Sequence, residues 1–354
     1  MNDRAVEASL SVVELGWRPC FQQQLGLDEL EFLRPARVIE QHRDAVVVAD
    51  GEAVFRIELN SSMVDLVVGD WILIDPEQRF QRCLERSSCF QRKAAGTGRA
   101  TQRIAANVDT AFILSSMNED FSLNRIERYL ALVHEAGAEP VVVLTKLDQA
   151  ESPDAAAELS ARLHRIDPLL AVEAINGLDA SSAAQLSPWL RAGETIVLLG
   201  SSGVGKSTLT NTLMQAEVQS TGGIREDDAK GRHTTTRRSL MALPSGALIL
   251  DTPGMREIQL ADCRDGLAST FADIEALAEG CRFKDCQHLA EPACRVRAAL
   301  AAGELDERRL ANYQKLLREE ALNAASLAER RAENRAQGRF YKQAKAESKR
   351  FKGR

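Results

Sequence analysis

At 354 residues the chain exceeds what one hydrophobic core usually serves, which predicts two or three domains. Its 44% hydrophobic and 27% charged residues exclude a largely disordered chain, and no apolar run approaches the ~20 residues that span a bilayer. The net charge of −6 excludes a uniformly basic protein, but the charge is unevenly spread: residues 330–354 form a +8 arm behind a body of −14. Met1-Asn-Asp-Arg4 is not followed by an apolar run, so the expected location is the cytoplasm, with no membrane partner. In that compartment seven cysteines do not predict a disulfide framework.

Residues 1–32 form an N-terminal extension with a modest apolar pattern (Leu10, Val13, Leu15, Trp17) and no readable chemistry. Residues 33–90 have β texture. Short β-branched runs lie at Arg37–Glu40, Ala45–Ala49 and Ala53–Leu59, with a hairpin signal at Asp50-Gly51-Glu52 and a further strand from Asp70 to Asp75. Four or five such strands suit a small OB-like barrel, either nucleic-acid-binding or purely structural. Residues 91–103 are polar, basic and Gly-containing, and read as a linker.

From 104 to 262 strands and helices alternate, which predicts an α/β sheet covered on both faces. Strands are expected at Ala111–Leu114, Val141–Leu144, near Ala171 and at Ile196–Leu199. Helices are expected at Asn124–Glu135 and Asp154–Arg165, and a hairpin at Ser239–Leu243 and Ala247–Leu250. Residues 263–304 read as helical with an embedded Cys/His cluster, and 305–354 as a helical basic tail.

Directly after the strand Ile196–Leu199 stands Gly200-Ser201-Ser202-Gly203-Val204-Gly205-Lys206-Ser207-Thr208, a G-x-x-x-x-G-K-[ST] loop in the required strand–loop–helix context. Its glycines let backbone N–H groups turn in around phosphates, and the helix N-terminus adds partial positive charge. Lys206 would reach the β- and γ-phosphates and the Ser207 hydroxyl would ligate Mg²⁺. After the second strand, Asp251-Thr-Pro-Gly254 offers a carboxylate for Mg²⁺ and a glycine whose N–H approaches the γ-phosphate. Thr145-Lys146-Leu147-Asp148 ends the strand Val141–Leu144. A carboxylate there accepts the N1 and N2 hydrogens of guanine, a donor pair adenine lacks, and Lys146 would lie along the base plane; the nucleotide is therefore GTP rather than ATP.

The base motif precedes the phosphate loop, which precedes Gly231-Arg-His-Thr-Thr-Thr236 and then Asp251–Gly254. That order, with a β domain before it and a Cys/His cluster after it, resembles the ribosome small-subunit-dependent GTPase A family of circularly permuted GTPases over residues 33–300. The resemblance implies an OB fold, a permuted P-loop GTPase domain and a helical zinc-binding domain. It also implies subunit-stimulated GTP hydrolysis late in maturation of the small ribosomal subunit, with that subunit and its rRNA as partners of a monomer.

Two departures qualify it. Met255 stands where many GTPases carry a water-orienting Gln, so intrinsic turnover should be slow; His233 becomes the internal candidate to orient water, its alternatives being an exposed loop residue or an RNA contact. Thr235 is favoured over its neighbours as the second Mg²⁺ ligand. The second base-contacting loop, usually S-A-x, has its nearest match at Glu173-Ala174, shortened before Gly177-Leu178. The residues expected to act in catalysis are thus His233, Lys206 and Thr235, with Ser207, Thr235 and Asp251 around Mg²⁺.

Cys281-x4-Cys286-x-His288-x5-Cys294 gathers three thiols and an imidazole within 14 residues, a closed Cys₃His set expected to hold one structural Zn²⁺. A redox pair is the alternative, although the spacing differs from C-x-x-C. Phe340, Tyr341 and Phe351 lie among the basic residues of the tail, which reads either as a solvated helix or as an rRNA contact. Two other functions remain open on sequence alone: a GTP-gated RNA-binding assembly factor in which hydrolysis is incidental, and an ATP-using P-loop enzyme.

Overall fold

The computed structural model describes residues 10–63, 65–92, 102–118, 121–218, 238–251 and 263–323. Its contacts divide the chain into two units, one of residues 1–90 and 103–257, the other of 91–102 and 258–354.

In the first unit, β1 (Arg34–Gln41), β2 (Ala45–Ala49), β3 (Val54–Glu58), β4 (Trp71–Ile74) and β5 (Phe80–Cys83) pair antiparallel in the order β3-β2-β1-β4-β5. Alternate side chains (Ala36, Val38, Val46, Val48, Ile72, Ile74) turn inward with Met63 and Leu66 to form a small core. Five strands in this order match a partly open OB-type barrel; no β3–β5 ladder closes it among the described residues.

Next come β6 (Cys89–Arg92) and β7 (Gln102–Ala106), which pair with each other. Composition reads the stretch between them as linker. The described residues of 91–103 are nonetheless strand, because Ile104, Ala105 and Ala106 bury the end of β7 behind a polar start.

The permuted sheet runs β10 (Ala171–Ala174), β9 (Glu139–Thr145), β8 (Thr110–Ser116), β11 (Thr195–Leu199), β13 (Leu248–Asp251), β12 (Arg238–Ala242). β8 to β11 and β13 are parallel, and β12 forms the expected hairpin with β13. Every β-branched run expected from the sequence lies in a strand, and the helices Leu123–Ala136 and Ala155–His164 fall within a residue or two of expectation. The chain leaves β8 toward β9 and β10, then returns to β11 on the other side of β8. The β8/β11 boundary is therefore a topological switch point, where ligands bind at the strands' C-terminal edge.

β12 also pairs with β1, Glu40 opposite Ser239 and Gln41 opposite Arg238, so the barrel and the permuted sheet form one continuous eleven-stranded sheet. The N-terminal extension reinforces this join. Leu15 and Phe21 are buried, and Trp17 stands edge-on to the buried Trp71 at 4.9 Å between centroids. Arg18 grips Asp109 at 2.6 Å and Glu194 at 3.1 Å. The fully buried Arg37 donates to the Leu15 carbonyl, the Asn107 carbonyl (3.1 Å) and Thr195 Oγ1 (2.8 Å), and burial pushes its pKa down to about 10.

The second unit has its own core of Leu267, Phe271, Ile274, Val296, Ala299, Leu310, Tyr313 and Leu316. Arg309 pairs in two-pronged fashion with Asp273 (2.7 and 2.9 Å) and stacks over Phe271 at 4.8 Å. The helix over residues 307–323 is thus packed from its first turn, although the sequence groups it with the basic tail.

Candidate nucleotide site and metal cluster

β11 leads straight into the Gly-rich loop and the helix Lys206–Met214. Gly200 adopts φ +144°, and a Cβ there would meet the Leu114 carbonyl of β8 at 2.6 Å, so only glycine lets the loop leave the sheet so close to its neighbour. Gly205 (φ +104°) precedes the helix, and Val204 plugs the loop into the core. Among the described residues nothing lies within 4 Å of a Cβ added at Gly203, which leaves the backbone open to a phosphate. Lys206 Nζ donates to the carbonyls of Gly200 (2.6 Å) and Ser201, holding its ammonium over the loop mouth. Ser207 and Thr208 lie in the first helical turn, the place from which a hydroxyl reaches Mg²⁺. No sequence motif points to Arg125, whose Nη1 donates to Ser201 Oγ at 3.3 Å from the neighbouring helix.

The base loop is tied to the phosphate loop. Thr145 ends β9, and its buried hydroxyl donates to the Val204 carbonyl at 2.7 Å. Lys146 takes a left-handed conformation (φ +62°) and opens a 3₁₀ turn, Leu147–Gln149, that presents Asp148 to solvent. The Leu147 N–H donates to the Ile175 carbonyl at 3.2 Å, and Thr212 Oγ1 on the phosphate-loop helix donates to the Gly177 carbonyl at 2.6 Å. The loop that follows Glu173 and Ala174 at the end of β10 is therefore fastened to the base loop and to the helix that follows the phosphate loop. Asn176 closes it, its Oδ1 accepting from the Leu178 N–H; the Asn-Gly pair is a turn signal that the motif reading passes over.

Asp251 is the last residue of β13, which runs parallel to β11, so its backbone lies at the same sheet edge as the phosphate loop. Its side chain, together with Gly254, His233 and Thr235, lies outside the described residues.

The second unit brings Cys281, Cys286, His288 and Cys294 together, with all four ligand atoms within 4.8 Å of one another. Cys281 Sγ is 3.8 Å from Cys294 Sγ and 3.7 Å from His288 Nδ1, and Cys294 Sγ is 3.4 Å from His288 Nδ1. A tetrahedron with ~2.3 Å metal–sulfur bonds has S···S edges of ~3.8 Å, so the donor set fits Zn²⁺. The protein has arranged this locally. His288 and Ala293 hold left-handed conformations (φ +59° and +58°), and the Arg297 N–H donates to Cys294 Sγ at the start of the helix Arg295–Ala301. Burial lowers the pKa of His288, which favours the neutral imidazole that binds metal.

Comparison with known proteins agrees with this geometry. A family model described as RsgA GTPase matches residues 83–261. The chain is 52% identical over 338 residues to a Vibrio parahaemolyticus protein named small ribosomal subunit biogenesis GTPase RsgA 2, covering 96% of this chain and 94% of the relative. Among solved structures, Thermotoga maritima YjeQ superposes with a TM-score of 0.60 at 24% identity, over 81% of this chain and 98% of that one. YloQ, described as a circularly permuted GTPase, gives 0.58 at 24% identity over 81% and 94%. These two likenesses establish a shared fold. Motif order, sheet order and a family match over half the chain lead to one conclusion: the chain belongs to the RsgA GTPase family.

Proposed function

We propose that this GTPase hydrolyses GTP to GDP and phosphate while bound to the small ribosomal subunit, and that it assists a late step of that subunit's maturation. The observation that carries the chemistry is the Thr145–Val204 hydrogen bond, which fixes the base loop against the phosphate loop. A nucleotide laid across this join meets Asp148 at the guanine end and Lys206 at the phosphate end. The related protein's name, small ribosomal subunit biogenesis GTPase, supplies the partner.

In this reading the amides of Gly203–Lys206 cradle the phosphates, and the Lys206 ammonium leaves its loop carbonyls to neutralise charge that builds on the γ-phosphate oxygens. Ser207, Thr235 and Asp251 would hold Mg²⁺, which when bound would supply further neutralisation of the phosphate charge. Water is the nucleophile and His233 orients it. Met255 offers no hydrogen bond in the usual glutamine position, so turnover is slow until the subunit stimulates it. Zn²⁺ at Cys281, Cys286, His288 and Cys294 is structural, since four protein ligands leave no open position. The +8 arm contacts rRNA, and the protein works as a cytoplasmic monomer.

The test is GTP turnover with and without purified small subunits. Stimulation by intact subunits and not by large subunits is the expected result; equal turnover in all three conditions would overturn the reading.

A further inference from the structure

The six-residue helix Leu27–Phe32 is built the wrong way round for a surface helix. It contains three large apolar side chains, and none of its residues is buried: Leu27 is 85%, Leu30 45% and Phe32 59% exposed. What holds it to the protein is its polar side. Arg82 of β5 donates to both carboxylate oxygens of Glu29 (2.7 and 2.9 Å) and to the Gln24 carbonyl (2.8 Å), while Glu29 also accepts from the Gly26 N–H (2.9 Å). At 100° per residue, Leu27 and Glu31 face away from Glu29, with Leu30 on one flank and Asp28 on the other, while Phe32 lies nearer Glu29. Folding normally buries such an apolar face. Here a salt bridge anchors the opposite side and leaves the leucines in water, an arrangement that suits a surface completed by a partner.

The charges around the leucines identify the class of partner. Asp28 and Glu31 are exposed, and among the described residues no cation pairs with either. Two carboxylates beside the leucines repel a phosphate backbone and attract lysine and arginine. We propose that Leu27, Leu30, Asp28 and Glu31 form a docking face for a basic, leucine-bearing segment of a protein, so that the N-terminal extension makes a protein contact rather than an RNA contact. In the ribosomal setting this rests on the function proposed above, and the partner is a protein of the small subunit.

Two measurements on the full-length protein test it. In the first, a fluorescent helical peptide with leucines three and four apart and lysines elsewhere is titrated by anisotropy, beside the same peptide with glutamate for lysine and a 20-nucleotide RNA. The lysine peptide should bind, and Leu27→Ser/Leu30→Ser should weaken it by about tenfold or more while melting temperature and basal GTP turnover stay unchanged. Asp28→Lys/Glu31→Lys should reverse the preference toward the glutamate peptide. In the second, a photocrosslinker at position 27 is irradiated on purified small subunits. Crosslinks to a subunit protein support the proposal; crosslinks to RNA alone, or none from protein that co-sediments, overturn it.

If the chain fails to co-sediment, the functional reading falls and the peptide titration alone decides the docking face. Equal peptide binding by wild type and the leucine variant overturns the proposal. So does a dimer that the leucine variant dissociates, or a tenfold gain in peptide affinity on deleting residues 330–354; these outcomes would name a second copy or the chain's own arm as the occupant.

Discussion

The two candidate sites are built by opposite strategies. The metal cluster draws all its ligands from Cys281–Cys294, shaped by two left-handed residues and one helix N-terminus. The nucleotide site draws on loops after β9, β10 and β11, and the sheet that carries them continues through β12 into the barrel. A local cluster has little besides a bound metal to offset the cost of ordering its loop, and this one is proposed to hold zinc. A site at a sheet edge is supported by long-range pairing and by a core in which Phe112, Val141, Val143, Ile196 and Ile249 pack together. The first should depend on an ion, the second on tertiary structure.

Zinc removal should separate the two most sharply. Structural zinc contributes about 10–16 kcal/mol of apparent folding free energy in small domains, so chelation or Cys294→Ser should unfold the loop 281–294. Hydrogen exchange would register this as lost protection over 281–301, with GTP affinity retained within about threefold. Equal loss of nucleotide binding would break the comparison.

Next in size is the proposed guanine contact. Asp148→Asn should lower GTP affinity on the order of 10²-fold or more and transfer preference to xanthine nucleotide, because the variant amide leaves a guanine donor unpaired. Competition binding reads this directly, and unchanged GTP affinity would remove Asp148 from the base site.

Arg37→Met tests the sheet's dependence on its join. The variant keeps a side chain against Trp71 but strands three buried acceptors, the Leu15 and Asn107 carbonyls and Thr195 Oγ1. A loss of about 3 kcal/mol is expected from the denaturation midpoint, with barrel and GTPase still unfolding together.

The smallest effect is at acid pH. The Arg82 side chain and the Gly26 amide lower the Glu29 carboxyl from 4.5 to about 2. A depressed folded pKa stabilises above the unfolded value and is lost as pH falls through the folded one. The helix Leu27–Phe32 should therefore stay docked above about pH 4.5 and lose exchange protection toward pH 2, whereas Glu29→Gln should show no such window.

The sequence by itself determined the chemistry that neighbours in the chain can specify. The glycines of the phosphate loop, the Thr145–Asp148 turn and the Cys/His spacing act through local backbone geometry, so residue type and spacing were enough to find them. Motif order also revealed the permutation, since a site at one sheet edge requires proximity in space rather than order in the chain. Tertiary structure alone decided how the parts are joined. Gln41 accepts a hydrogen bond from Arg238, 197 residues away, and Arg37 gathers the N-terminal extension, the turn before β8 and the start of β11. Periodicity tells which face of a strand is covered but not what covers it, so Leu15 and Trp17 could not be distinguished in the sequence from Leu27 and Leu30. Packing buries Leu15 and half-buries Trp17 at the join, and leaves Leu27 and Leu30 exposed.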